Sequence, residues 1–121
     1  MNTKNGECWS SDHSARAIRF ELGAGHAFLL PFEQFLYAEL MGGTELRAVF
    51  AHHEVRIRGK SLRRIETALQ RLELSHVACL RPAEEYLVPE GQPVVRGILI
   101  IEQDPKPEVP KAGGDDQIEN D

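Results

Sequence analysis

The sequence predicts an α+β fold: a small single domain in which a mostly antiparallel sheet of five to seven short strands, a hairpin meander, carries one principal amphipathic helix on one face. Three observations predict it. The chain of 121 residues has room for one domain. Several short apolar segments alternate with polar residues between glycine-rich turns, which is typical of hairpins. One later segment repeats its apolar residues at helical spacing.

The two ends of the chain differ from its middle. Residues 1–14 are rich in Asn, Ser, Gly and Asp and show no apolar period, so we expect a flexible N-terminal arm. Residues 103–121 combine prolines and glycines with acidic side chains, which predicts a disordered acidic tail. The domain is therefore expected to span residues 15–102, where 11 basic residues balance 11 acidic ones.

The first elements of the domain are predicted to be a hairpin and a short helical turn. Residues 15–22 and 26–30 have strand-like patterns, and the turn 23–25 joins them. Pro31 ends the second strand because it has no amide hydrogen to donate. Its fixed φ angle suits a helix start, so residues 32–35 favour one helical turn before the next strand.

The next two strands have the clearest alternation. Gly42 and Gly43 supply the positive φ angles of a tight two-residue hairpin turn. The apolar positions are even in the strand that follows and odd in the one after it: Leu46, Ala48 and Phe50, then Val55 and Ile57. Because side chains alternate with a period of two, this change of parity requires a turn or a bulge near His52 and His53.

The principal helix is predicted over residues 61–73. Its apolar residues recur at i, i+3, i+7 and i+10, which places them on one helical face: Leu62, Ile65, Leu69 and Leu72. Ser61 stands where a helix N-cap is expected. The helix should therefore pack this face against the sheet.

Two more strands are predicted after the helix. Residues 76–80 form a short apolar run that ends before Pro82. Residues 94–101 are the most apolar run of the chain, interrupted only by Arg96 and Gly97, and favour a late addition to the sheet or its edge. Four of its residues are candidates for an edge that pairs with a second copy or a partner strand: Val94, Val95, Ile98 and Ile100.

The sequence predicts a cytoplasmic protein. Its start lacks the apolar stretch of a secretory signal, and no segment approaches the roughly 20 apolar residues of a membrane helix, so no membrane partner is expected. Cys8 lies in the expected arm, and the apolar neighbours of Cys79 indicate a buried, inert thiol. We therefore expect two free thiols in a reducing compartment.

Basic residues are concentrated in the middle of the chain. Residues 47–81 hold 8 basic and 3 acidic residues, a net charge of +5, whereas the whole chain carries −5. Six cations form a candidate basic patch: Arg56, Arg58, Lys60, Arg63, Arg64 and Arg71. Nucleic-acid binders concentrate charge in this way. The strand and helix arginines are expected on opposite sides of the domain, however, and no aromatic residues lie between them in the sequence.

The chemistry-bearing residues predict no active site. Adjacent strand residues point to opposite faces, so His52 and His53 are weak candidates for metal ligands. The chain contains no Walker A sequence, no Rossmann fingerprint and no Gly-x-Ser-x-Gly elbow. We therefore predict no catalytic residue, no cofactor and no metal. An enzyme using His52, His53 and Cys79 ranks third among three hypotheses.

Two functions of different classes rank above it. The first is a non-catalytic protein-interaction or scaffold module that acts through a sheet edge or the exposed helix face, on another protein or on a second copy. The alternative is a nucleic-acid-binding domain that uses the basic stretch 56–71, with the acidic tail as an intramolecular competitor.

Overall fold

The computed structural model describes residues 8–23 and 25–103. These residues form eight β-strands and one α-helix, which confirms the predicted α+β class. In chain order the strands are β1 (Trp9–Ser11), β2 (Ala17–Gly23), β3 (His26–Pro31), β4 (Phe35–Met41), β5 (Glu45–Phe50), β6 (His53–Lys60), β7 (Leu74–Ala78) and β8 (Val94–Glu102), and the helix α1 (Arg63–Gln70) lies between β6 and β7. Short 3-10 helices cover Phe32–Gln34 and Pro82–Leu87.

The strands form two four-stranded sheets, in the orders β1-β7-β2-β3 and β4-β5-β6-β8. We call these the first and the second sheet. The prediction of one meander with five to seven strands is therefore wrong in detail. Only the β2–β7 pair is parallel, because β7 follows α1 and enters the first sheet between β1 and β2. A hairpin pattern reveals neighbours in sequence, and it cannot reveal a strand that returns after a helix.

The core lies between the inner faces of the two sheets and the helix. Ile18, Phe20 and Leu30 are buried from the first sheet, and the predicted inward residues of β5 and β6 are buried from the second. Phe35 packs against Phe50 with ring centroids 5.4 Å apart. The alternation of buried and partly exposed residues in β5 follows directly from its one buried face.

The predicted change of parity between β5 and β6 is confirmed. Val55 pairs with Ala48 and Ile57 with Leu46, and the turn falls at Ala51 and His52. The preceding turn differs from the prediction, because Met41 pairs with Glu45 and three residues, Gly42 to Thr44, connect β4 to β5. Gly42 and Gly43 both have positive φ, at 65° and 75°.

The helix is shorter than predicted. Ser61 has a φ of 56°, so it lies outside the helix, makes no cap, and leaves Leu62 as the N-cap. At the other end Leu72 also has a positive φ, 58°. The Leu72 amide donates to the Leu69 carbonyl and the Glu73 amide to the Ala68 carbonyl. This pattern is a Schellman motif, which ends the helix and leaves Leu72 exposed rather than in the apolar face.

Part of the expected N-terminal arm belongs to the first sheet. The sequence predicts no strand before Ala15, yet β1 pairs with β7, Trp9 opposite Val77. Cys8 is buried, and its carbonyl accepts from the Ala78 amide. A three-residue strand is too short to show a period, so pattern reading misses it. Residues 1–7 of the arm, and the tail from residue 104, lie outside the described residues.

Strand β8 is an edge of the second sheet, and the residues that face the core change from odd to even positions along its length. Arg58 pairs with Gly97 while Gly59 pairs with Val95, so Arg96 is an extra residue in β8 and forms a bulge. Before the bulge Val94 and Val95 are both buried. Beyond it Leu99 is exposed on the outer face.

Among residues 8–23 and 25–103, no helix is long and apolar enough to cross a membrane.

The close approach of β6 to β8 gives a stability prediction. A Cβ atom built on Gly59 would lie 1.7 Å from the Val94 carbonyl oxygen, whereas one on Gly97 meets nothing within 4 Å. Gly59→Ala should therefore lower the free energy of unfolding by about 2 kcal/mol or more, since the backbone must separate. Urea denaturation measures it, with Gly97→Ala as the matched control. Equal stability of the two variants would contradict the close approach.

Candidate functional site

The candidate site lies on the outer face of the second sheet. We define this face by the outward residues of its four strands, which stand in three cross-strand rows. These rows are Tyr37–Val49–Glu54–Ile101, Glu39–Arg47–Arg56–Leu99 and Met41–Glu45–Arg58–Gly97. Several large apolar side chains are exposed here, including Tyr37, Met41 and Leu99. Tyrosine, methionine and arginine are the residues that protein interfaces favour.

Glu54 organises the charges in the middle of this face. Its side chain is only 12% exposed, and it accepts hydrogen bonds from Arg56 Nε at 2.8 Å and Gln103 Nε2 at 3.1 Å. Arg47 Nε lies 3.5 Å from the same carboxylate, and the Arg47 guanidinium lies over the Tyr37 ring. The hydrogen bond from Arg56 to Glu54 raises the pKa of the arginine. Two arginines thus share one buried carboxylate.

Three arginines surround Gly97, which has no side chain to fill the space between them. Arg58 and Arg96 line one shallow depression together with Thr44 and Glu45, and Arg56 and Arg58 line the adjoining one beside Leu99. We call this region the Gly97 depression. Arg58 makes no salt bridge with any described residue, unlike Arg56 and Arg96. One unpaired guanidinium is therefore presented beside an exposed leucine.

Arg96 is held from the side by the 3-10 helix Pro82–Leu87. Its Nε atom donates a hydrogen bond to Glu85 Oε2, and its Nη2 atom donates one to Glu85 Oε1, both at 3.0 Å. This bidentate pair lowers the pKa of Glu85. Lys60 lies nearby and lines a separate groove with Glu85 and the loop around Gly91.

The structure divides the predicted basic patch between two surfaces. Arg56 and Arg58 belong to the outer face of the second sheet. Arg64 and Arg71 line a groove between α1 and β1, with Trp9 and Ser11 on its other side. Arg63 is exposed on the helix and does not line that groove. The sequence shows no aromatic residue near the arginines, because Trp9 reaches them only through the pairing of β1 with β7.

The predicted pairing edge is partly covered. Val94 and Val95 are buried, and the Leu80 amide donates to the Val95 carbonyl at 2.8 Å. Ile98 and Ile100 point inward and pack against the core. No described strand pairs with the outer side of β8, and residues 99–102 lie beyond the contact that Leu80 makes at Val95.

The two cysteines are the reverse of what the sequence predicts. Cys8 is buried and its thiol lies 3.5 Å from the Pro93 carbonyl oxygen, whereas Cys79 is exposed beside β8. Cys79 directly follows Ala78, the last residue of β7. Both thiols are free, and desolvation raises the pKa of each, which disfavours the nucleophilic thiolate.

The histidine pair does not assemble a metal site within the described residues. His52 is exposed in the β5–β6 turn, and His53 packs edge-on against Phe28 with ring centroids 5.0 Å apart. Across residues 8–23 and 25–103, no three His, Cys, Asp or Glu side chains are grouped to hold a metal ion.

Sequence reasoning missed a buried histidine in β7. His76 is 6% exposed, its Nε2 atom lies 3.5 Å from a Glu21 carboxylate oxygen, and neither ring nitrogen makes a hydrogen bond to a described residue. Burial lowers the pKa of His76 below its ordinary value, an effect that Glu21 partly opposes. A histidine inside an otherwise apolar run is the only sequence signal for it.

Comparison of the chain with protein-family profiles, with curated proteins and with solved structures found no match.

The buried imidazole predicts a loss of stability in acid. Because the folded-state pKa of His76 lies below the unfolded value near 6.5, the unfolded chain binds more protons as the pH falls through that value. The free energy of unfolding should fall by up to about 1.4 kcal/mol per pH unit, the limit for one proton. Urea denaturation between about pH 7.5 and 5.5 measures it.

The control for this prediction separates His76 from the other titrating groups. His76→Leu should lose less stability than the natural chain over the same pH range, while His52→Gln, at an exposed position, should follow the natural chain. Parallel pH dependence in all three proteins would assign the acid sensitivity to other groups.

Proposed function

We propose that this chain is a non-catalytic protein-interaction module that binds an extended, acidic and apolar segment of a partner at the Gly97 depression. The observation that carries the proposal is the grouping of Arg56, Arg58 and Arg96 around a position without a side chain, beside the exposed Leu99. A groove of this kind offers charge at its rim and apolar surface next to it.

The edge of β8 supplies the backbone part of the interaction. Beyond Ile98 no described strand pairs with the outer side of β8. Unpaired amides and carbonyls at a sheet edge accept an extended peptide as an added strand. Such a peptide would contact Leu99 and Ile101, the outward residues of this end of β8.

The arginines supply the preference for acidic side chains. Arg58 forms no salt bridge with a described residue, although Glu45 lies opposite it on the neighbouring strand, so a partner carboxylate gains an ion pair without breaking an existing salt bridge. Arg96 can turn to the partner only by sharing or releasing Glu85, and exposed pairs of this kind are worth about 0–1 kcal/mol. That exchange costs little. The methylene groups of an outward glutamate pack on Leu99, which contributes affinity, and its carboxylate meets the arginines, which contribute specificity.

Alternation of acidic and apolar residues in the partner follows from the same geometry. A strand added beside β8 points every second side chain toward one face of the sheet. Residues on the outer face meet Arg56, Arg58 and Leu99, and those between them point toward the core side. A segment with glutamate and apolar residues in turn satisfies both the charge and the pairing.

The proposal predicts binding of a designed probe. A fluorescein-labelled peptide of alternating glutamate and valine should bind the full chain, and Arg58→Glu should weaken it at least about tenfold, or about 1.4 kcal/mol. Gly97→Val should weaken it similarly by filling the depression, where open space surrounds the new side chain. Fluorescence anisotropy measures both effects.

Two controls make this test specific. Arg63→Glu makes the same change of charge at an exposed helix position and should leave the affinity within about twofold. A peptide with lysine in place of glutamate should not bind. Equal affinity for the two peptides, or an unchanged affinity in both Arg58→Glu and Gly97→Val, would overturn the proposal.

A further inference from the structure

We infer that the groove between β1 and α1 binds single-stranded nucleic acid, with a base stacked on Trp9 and phosphates on Arg64 and Arg71. This site is separate from the Gly97 depression and does not depend on it. Its walls are Trp9 and Ser11 from β1 and, on the other side, three residues of α1 and its C-cap: Arg64, Thr67, Ala68 and Arg71.

The helix residues of the groove share one face. They follow each other at i, i+3, i+4 and i+7, which is the spacing of neighbours on a helix surface. Ala68 is buried at the floor of the groove, and Arg64, Thr67 and Arg71 are exposed at its rim. Neither arginine forms a salt bridge with a described residue, so both guanidinium groups are available to an anion.

The separation of the two arginines suits an extended polyanion. Their backbone positions stand two helical turns apart, which is about 10 Å along the helix axis. An oligonucleotide can place successive phosphates on the two guanidinium groups at this spacing, so that each arginine contacts its own phosphate.

Trp9 distinguishes a nucleic acid from an acidic polypeptide. Its ring is half-buried, anchored against the core and presented on the opposite wall from the arginines. Proteins that bind single strands stack bases on such aromatic side chains and track the phosphates with cations. The hydroxyl groups of Ser11 and Thr67 add donors for phosphate or sugar oxygens.

Among the described residues that line the groove, Glu73 is the one carboxylate. Glu73 lies just after the C-terminal end of α1, two residues beyond Arg71. Its negative charge repels an anionic ligand. Removing this charge should therefore strengthen nucleic-acid binding, whereas a site meant for a cation would be weakened. The sign of this change is a test of the ligand's charge.

The chain offers a direct readout of groove occupancy, because Trp9 is its single tryptophan. We expect an oligothymidylate of about 12 nucleotides to quench the Trp9 fluorescence of the full chain at about 50 mM salt, with affinity falling steeply by about 200 mM. The double variant Arg64→Glu, Arg71→Glu should weaken binding at least about tenfold. The slope of log affinity against log salt concentration should also become shallower by about 1.4, because two phosphate contacts are lost at about 0.7 each.

The matched variants keep the test decisive. Arg63→Glu makes one charge reversal on the same helix outside the groove and should change affinity less than about threefold, and Glu73→Gln should raise it. Trp9→Phe should retain binding and Trp9→Leu lose it; the arginine variants decide the outcome if Trp9→Leu does not fold. Absence of quenching at low salt, or equal quenching by polyglutamate, would overturn the inference.

Discussion

The close contact between β6 and β8 at Gly59 is the constraint on which the second sheet depends. No side chain fits between Gly59 and the Val94 carbonyl, so the two backbones meet there and bring Val94 and Val95 into the core. The bulge at Arg96 follows at once and reverses the direction of the side chains. The same strand therefore anchors the core with its first residues and presents Leu99 outward with its last ones. The proposed site exists because the tight packing contact at Val94 and the parity change at Arg96 lie two residues apart.

The sequence predicted the parts of the fold that depend on local periodicity. The even and odd apolar positions of β5 and β6 placed their turn correctly, because one buried face imposes a period of two. It did not predict the division into two sheets, since the β2–β7 pair joins segments separated by an entire helix. The continuous apolar run of β8 concealed its bulge, because without alternation a change of parity leaves no trace in the sequence.

The candidate sites were less predictable than the fold. The sequence showed the arginines as a cluster of charge, but it did not show the residues that contact them. Glu54 forms salt bridges with Arg47 and Arg56 on the second sheet. Trp9 comes close to the helix arginines because it pairs with Val77, more than 60 residues away in the sequence. In the sequence, Gly97 was visible only as an interruption of the apolar run 94–101. The prediction for the two cysteines was reversed because burial of Cys8 depends on contacts with Pro93 and β7 that lie far away along the chain.

The two glycines of the β6–β8 pair differ in what they permit over evolutionary time. At Gly59 any side chain collides with the backbone, so this position ties the architecture to one residue type. At Gly97 open space surrounds the missing side chain. Descendants of a duplicated gene could accept new residues at position 97, and at Leu99 beside it, while keeping the core intact. If the proposed site binds a partner, its specificity could change in such a lineage without loss of the fold, because position 97 could vary while position 59 must remain glycine.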